Sequence, residues 1–405
     1  MRQGTPVAVA FCMGAGVVLA YFLAAPQPIS YLIRPLSAVL VISVVLGLLA
    51  SVFGRSSHLV AAFLMAWLVQ PGSGIALTLA SLAAAVIVWR LWSGRTVDLQ
   101  KPIAAAAVVF LVVGLAPMVL HVSWSTPANT PDLGRPTFLI LLDGFPRSDT
   151  LESLGVDIGW FTSELEDRGF DHYPSATSLY VSTWRTLTHL LTGEPPREDW
   201  TTVEEMRTAR NSWTLPRGFV AVAPPLGSVT IPNVPTLNPG GPTVLDVALL
   251  QGSAVASLSG RYVMDGMRFQ VERSLDLIAT TEATQVFAHL LAPHPPFLYD
   301  GDSPRDMPSC WPYCNIFTDP GGPRDVEGYL QWLLPRLIDV VDQVIGHHPD
   351  AEIVLFSDHG GRFSEDEMDE WYRVFLAART PSRPGTFTGS PHPSSIFAEL
   401  RQSRP

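Results

Sequence analysis

The sequence predicts a chain of two parts: an N-terminal helical membrane domain, and an exported α/β domain whose mostly parallel central sheet is flanked by helices. Three observations carry this. Of 405 residues, 47% are hydrophobic and the mean hydropathy is +0.24, yet the excess is confined to residues 1–122, which are mostly Ala, Val, Leu and Ile. Charge divides at the same place. Of the chain's 26 basic and 37 acidic residues, six and one fall in residues 1–122, which leaves the remainder with 20 against 36 and a net charge of −16. Beyond residue 136, short apolar runs alternate with amphipathic helical patterns. Nucleic acid is excluded as a partner, because phosphate-backbone binding needs a basic surface.

The first part supplies about five spans, each needing roughly 20 apolar residues. Val7–Ala25, Ile29–Phe53 and Ile103–His121 are single runs, and Leu59–Trp92 is divided by the turn signal Pro71-Gly72-Ser73-Gly74. A cleavable signal peptide has a shorter apolar stretch and is not followed by four more. With the N-terminus inside, Arg2, Arg55 and the cluster Arg90, Arg95 and Lys101 lie on the cytoplasmic side, and only Arg34 goes against the rule. Five spans place the acidic domain outside. A four-span count, with the short third run re-entrant, would place it inside. Cys12 falls in the first span, whereas Cys310 and Cys314 sit in a Pro-rich loop of the second part, where an oxidising compartment lets them pair.

Residues 123–136 are rich in Ser, Thr, Asn and Pro and read as a linker. Residues 137–400 then form the α/β domain. Its strands are expected at Thr137–Leu142, Gly218–Ala223, Gln285–Leu291 and Glu352–Phe356, each largely apolar on both faces as a central parallel strand should be. The clearest helix is Arg324–Ile345, with Val326, Tyr329, Leu333, Leu337, Val340, Val341 and Val344 on one stripe and a kink expected at Pro335. Trp160–Arg168 is a second helix, stopped by Gly169. Pro216–Pro242 is dense in Pro and Gly and reads as loop, an insertion over the site.

Ligands of open α/β sheets collect at the carboxyl ends of the strands. Three of the runs end in chemistry: Asp143-Gly144, then Ala292-Pro293-His294-Pro295-Pro296, then Ser357-Asp358-His359-Gly360-Gly361. Carboxylate oxygens with an imidazole nitrogen suit Zn²⁺ or Mn²⁺. One Asp after a strand is more often a turn or cap, so the weight lies in their joint occurrence. Thr183 reads as the N-cap of a helix with the apolar face Trp184, Leu187, Leu190 and Leu191 and the stop Gly193. A helix N-terminus favours anions, which gives a hydroxyl there an advantage for attack on phosphate.

These residues resemble the alkaline phosphatase and sulfatase superfamily, and within it the membrane-anchored lipoteichoic acid synthases and phosphoethanolamine transferases. The resemblance runs over roughly Pro136–Leu400. It rests on strand-Asp143-Gly144, on Tyr180-x-x-Thr183-x-x-Thr186-Leu ending in Leu-Thr-Gly193, on the pair His289 and His294, and on Ser-Asp358-His359-Gly. It implies an alkaline-phosphatase-like fold with five spans, and one divalent metal on Asp143, Thr183, Asp358 and His359. Thr183 would be the nucleophile, and His294 would contact the substrate phosphoryl group. The implied substrate is a lipid or envelope glycan at the outer face of the bilayer. Sulfatases proper carry Cys/Ser-x-Pro-x-Arg, which Thr183-Trp-Arg-Thr-Leu does not match. The transferases often have a further His a dozen residues past Asp-His-Gly, whereas here the next is His392, in a Pro-rich stretch. His172, His347 and His348 read as structural or solvated.

A hydrolase or transferase of phosphotransferase or phosphodiesterase type is therefore the leading expectation. A non-catalytic envelope scaffold on the same fold is the alternative, weakened by a nucleophile among the metal ligands. A transporter with an exported sensor is a third, weakened by the lack of acidic residues within the spans.

Overall fold

The computed structural model describes Ser43 and residues 133–402, apart from 198–208, 211, 225–230, 232–233, 252–255, 312–321, 362 and 364–367. Apart from Ser43, which is helical, the five expected spans and residues 123–132 of the expected linker lie outside the described residues, while at the linker's end Leu133 packs in the core and Arg135 pairs with Glu352. Among the described residues no helix is long and apolar enough to cross a membrane.

These residues divide into two units. The larger comprises Ser125–Pro242, Arg261–Cys310 and Cys314–Pro405. It is built on a seven-stranded sheet of order β2-β9-β8-β1-β5-β3-β4. Its strands are β1 (Thr137–Leu142), β2 (Asp171–His172), β3 (Val220–Val222), β4 (Thr236–Leu237), β5 (Gln285–Leu290), β8 (Glu352–Phe356) and β9 (Leu376–Arg379). A separate two-stranded hairpin pairs β6 (Tyr299–Asp300) with β7 (Ser303–Pro304). From β8 to β4 every pair is parallel, and β9 runs antiparallel beside β8. All residues of β1, β5 and β8 are buried, which explains why these strands read as unbroken apolar runs. Two differences from expectation stand out. Pro216–Pro242 is not all loop, because β4 lies within it and closes one edge of the sheet. β9 joins the sheet through only four residues, too few for a periodic signal.

In the larger unit helices flank the sheet: α1 (Ser148–Ser153), α2 (Gly159–Asp167), α3 (Thr183–Thr192), α6 (Pro323–His347), α7 (Ile396–Gln402) and the part of α5 (Ala256–Thr280) from Arg261 on; α4 (Val244–Gln251) lies in the other unit. In α6 the whole predicted stripe from Val326 to Val344 is buried, and the helix continues through Pro335. α2 ends in a Schellman arrangement: Gly169, at φ +80, donates to Glu166 O, and Phe170 N–H donates to Leu165 O. On one face of the sheet Leu139, Leu141, Phe287, Val354 and Phe356 pack with Leu187, Leu190 and Leu191 of α3 and with Ile396, Phe397 and Leu400 of α7. Strand alternation turns Phe138 to the other face, where its ring meets His348 just past α6 at 5.6 Å.

α4 belongs to the smaller unit, where Thr243 Oγ1 accepts from Asp246 N–H while Asp246 Oδ2 accepts from Thr243 N–H, a reciprocal capping box. Cys310 is disulfide-bonded, and its expected partner Cys314 lies outside the described residues.

Candidate metal centre

Parallel register sets the site. Leu142 stands opposite Leu290 and Leu141 opposite Phe356, so β1, β5 and β8 end together. Asp143 is one step past β1, and its N–H donates to Leu290 O at 3.0 Å, one more rung of the ladder. Its carboxylate, 4% exposed, is split in use. Oδ2 accepts from His289 Nε2–H at 2.9 Å. Oδ1 has no hydrogen-bond partner.

His359 supplies the second element. Its Nδ1–H donates to Gly360 O at 2.8 Å, which leaves Nε2 as the free ring nitrogen. That nitrogen lies 3.4 Å from Asp143 Oδ1 and 3.6 Å from Asp358 Oδ2, too long or misaligned for hydrogen bonds. Asp358 is fully buried, with Oδ1 accepting from Gly144 N–H at 3.2 Å and Oδ2 unpartnered. Two buried carboxylate oxygens without a hydrogen-bond partner, Asp143 Oδ1 and Asp358 Oδ2, therefore converge on one ring nitrogen, a costly arrangement unless a cation, or a proton on that nitrogen, joins them. Four ligands at about 2.0–2.2 Å from a tetrahedral zinc stand about 3.3–3.6 Å apart, which these separations match.

His294 completes the group. Its Nδ1–H donates to Pro295 O at 2.7 Å, and its ring faces that of His359 edge-on at 6.0 Å. One ligand atom each from Asp143, His294 and His359 falls within 4.8 Å of the others. Gly144 allows this approach. It has φ +70, and a Cβ there would stand 3.3 Å from His359 Cε1 and 3.6 Å from His294 Cδ2.

The charges follow. Burial alone would raise the Asp143 carboxyl, but the charge of His294, the hydrogen bond from His289 and the neighbouring His359 imidazole hold it well below the usual carboxylate range. Burial lowers His359, and the Asp358 and Asp143 carboxylates outweigh it, pushing the imidazole up to about 9.

α3 is tied to the loop that carries Asp358 and His359. Thr183 is its first residue rather than its N-cap, because Ser182 is the last with extended backbone, at φ −141 and ψ 127. One turn on, Thr186 Oγ1–H donates to Asp358 O at 2.9 Å, and Ser178 Oγ–H donates to the same oxygen at 2.6 Å. Thr183 shares the Thr186 face of the helix by spacing.

Two contributors stood in the sequence motifs with no role assigned to them. His289 is wholly buried in β5 and serves Asp143, a role signalled only by an imidazole inside the apolar run Phe287-Ala-His-Leu. Ser357 Oγ–H donates to His359 O at 2.7 Å and the oxygen accepts from Phe145 N–H at 2.8 Å, joining the β1 and β8 loops. His392 lies outside the group, its Nδ1–H bonded to Thr177 O at 2.7 Å. His172 stacks on Phe375.

No family model matches the chain, and no curated protein matches it. Solved structures do. The C-terminal periplasmic domain of EcEptC from Escherichia coli, in complex with Zn, is 14% identical, with 69% of this chain and 86% of that one covered at a TM-score of 0.41. The integral membrane lipooligosaccharide phosphoethanolamine transferase A from Neisseria meningitidis is 12% identical, with 95% and 78% covered at 0.38. The lipoteichoic acid synthase LtaP from Listeria monocytogenes is 12% identical, with 66% and 72% covered at 0.34. The metal centre itself stands on the geometry of this chain.

Proposed function

We propose that this chain is a membrane-anchored enzyme of the sulfatase-like class. Residues 1–122 form about five spans, residues 123–136 link them to the domain, and residues 137–400 act outside the cytoplasm. There the domain transfers or hydrolyses a phosphoryl or related ester group on a lipid or cell-envelope substrate. The observation that carries the reading is the convergence of two buried carboxylate oxygens without hydrogen-bond partners, Asp143 Oδ1 and Asp358 Oδ2, on His359 Nε2. A pure scaffold gains nothing from that expense. The anchor is supported by the apolar runs and the cytoplasmic bias of their basic residues.

In this reading Asp143, Thr183, Asp358 and His359 hold one divalent ion, Zn or Mn. When bound, the ion supplies positive charge at the phosphoryl oxygens and favours the ionised form of a hydroxyl beside it. Thr183 Oγ1 attacks phosphorus: the Oγ1–P bond forms, the P–O bond to the leaving group breaks, and the proton lost by the hydroxyl ends on the departing oxygen. Transfer to an acceptor hydroxyl or to water then regenerates the Thr183 hydroxyl. The start of α3 contributes its partial positive charge to the same place. His294, with Nδ1 held by Pro295 O, keeps Nε2 for the phosphoryl oxygens and for the proton of the leaving group.

The test uses the full chain in non-ionic detergent with a nitrophenyl phosphodiester. Thr183→Ala should abolish turnover while most of the metal stays bound, and His294→Ala should cost about 10²- to 10³-fold. Mass spectrometry of the Thr183 peptide should find added phosphoryl mass in the native chain. Turnover at the native rate in Thr183→Ala would sink the assignment.

A further inference from the structure

A cavity of about 340 Å³ opens between the C-terminal half of α3 and the chain that leads into α7. Its size is at the lower end of ligand pockets, which run about 300–1,000 Å³. Leu190, Leu191 and Phe397 form apolar walls, and Leu179 stands at the mouth. Leu179 is 44% exposed, an unusual place for a leucine pinned by its neighbour. Ser178 holds it there, donating its N–H to Tyr372 O at 2.7 Å and its hydroxyl to Asp358 O.

The ionisable lining is basic, set among Thr and Ser hydroxyls. His189, His392 and Arg401 reach the cavity, and no carboxylate is among the described residues that line it. That is selective in a part of the chain holding 36 acidic residues to 20 basic ones. The basic groups are also set in place. His392 Nδ1–H is committed to Thr177 O, which leaves Nε2 free; His189 Nδ1 pairs with Tyr180 Oη at 3.2 Å; and the Arg401 guanidinium lies over the Phe397 ring at 5.7 Å.

We infer that this cavity binds an anionic amphiphile, its phosphate or carboxylate head on Arg401, His189 and His392 and its short apolar chain against Leu179, Leu190, Leu191 and Phe397. Charge complementarity selects the head, and the apolar wall selects the chain. The site is distinct from the metal centre and does not depend on the chemistry of Thr183. It shares α3 with that residue, six positions or about 9 Å of helix away.

Octyl phosphate is the probe, titrated calorimetrically into the full chain in non-ionic detergent with EDTA present, so that no metal competes for phosphate. Inorganic phosphate and octanol are the reference ligands. Arg401→Glu and Leu179→Ser change exposed side chains and should leave the melting temperature unchanged. Octyl phosphate should bind about tenfold or more weakly to Arg401→Glu, where a charge-assisted contact becomes a repulsion. Leu179→Ser should weaken it a few-fold, and both reference ligands should bind at least about tenfold more weakly than octyl phosphate, each lacking one half of the match. Equal affinity for octyl phosphate in the native chain and Arg401→Glu would overturn the inference. Inorganic phosphate binding as tightly as octyl phosphate would overturn it too, as would octanol doing so, since the site would then recognise only one half of an amphiphile.

Discussion

A carboxylate that keeps one oxygen aimed at a cation needs a donor on the other, and at Asp143 the donor is His289 Nε2–H, 2.9 Å away and fully buried. His289→Ala should therefore weaken metal binding by about 10- to 100-fold, as loss of such partners does. His289→Gln, whose amide nitrogen reaches nearly the same point, should restore much of it. Zinc competition against a chelator is the measurement, and native affinity in His289→Ala would show that Asp143 is oriented by something else. His172 carries a different residue-scale effect. Its Nε2 is buried without a partner and its ring stacks on Phe375 at 5.5 Å, so burial lowers its pKa. The sign comes from linkage: below about pH 6.5 the unfolded chain takes up this proton more readily than the folded one, so stability falls as the pH falls. His172→Phe should flatten the fall in melting temperature between about pH 7 and pH 5. An unchanged slope would assign that fall to other groups.

At the scale of elements, α3 and the loop after β8 act as one piece. Ser178 and Thr186 both donate to Asp358 O, so the strand end carrying Asp358 and the helix start carrying Thr183 are tied through one carbonyl. Thr186→Val keeps the shape and removes one donor, at a cost of about 0.5–1.5 kcal/mol because Ser178 remains. Turnover should fall further than stability does, since Thr183 lies one helical turn away. Urea midpoints set beside nitrophenyl ester hydrolysis separate the two, and a loss of activity no larger than the loss of folded protein would deny α3 a positioning role.

For the whole molecule, the division of charge is the ruling fact: residues 1–122 carry six basic groups against one acidic, and the rest is strongly acidic. The five spans we propose, an odd number, would place that acidic part, and with it Thr183, outside. A reporter that fluoresces only in the cytoplasm, fused after Gly134, should therefore be silent. A bright fusion would favour the four-span count and remove the oxidising environment expected for Cys310.

The amino-acid sequence by itself determined β1, β5 and β8, the helices α2 and α6, and the chemistry at the strand ends, because each is a local pattern. An unbroken apolar run marks a strand buried on both faces, a stripe at three-to-four spacing marks a covered helix, and the residues just after an apolar run stand at the strand's carboxyl end. α5 had such a stripe in Val263, Met267, Val271, Leu275 and Ile278, all buried, with Gly260 and Gly266 interrupting its helical character. The tertiary structure alone decided which residues meet. β1 and β5 lie side by side although 142 residues separate Leu142 from Gln285 in the chain. Their register sets His289 on Asp143 and brings His294 against Gly144, and nothing within either segment encodes it. The same holds for β9 beside β8 and for β4 at the far edge, whose few residues take their place from hydrogen bonds offered by a neighbouring strand. Pairing across such distances depends on closing the whole chain around one core, a global balance of burial against chain entropy that no local pattern contains.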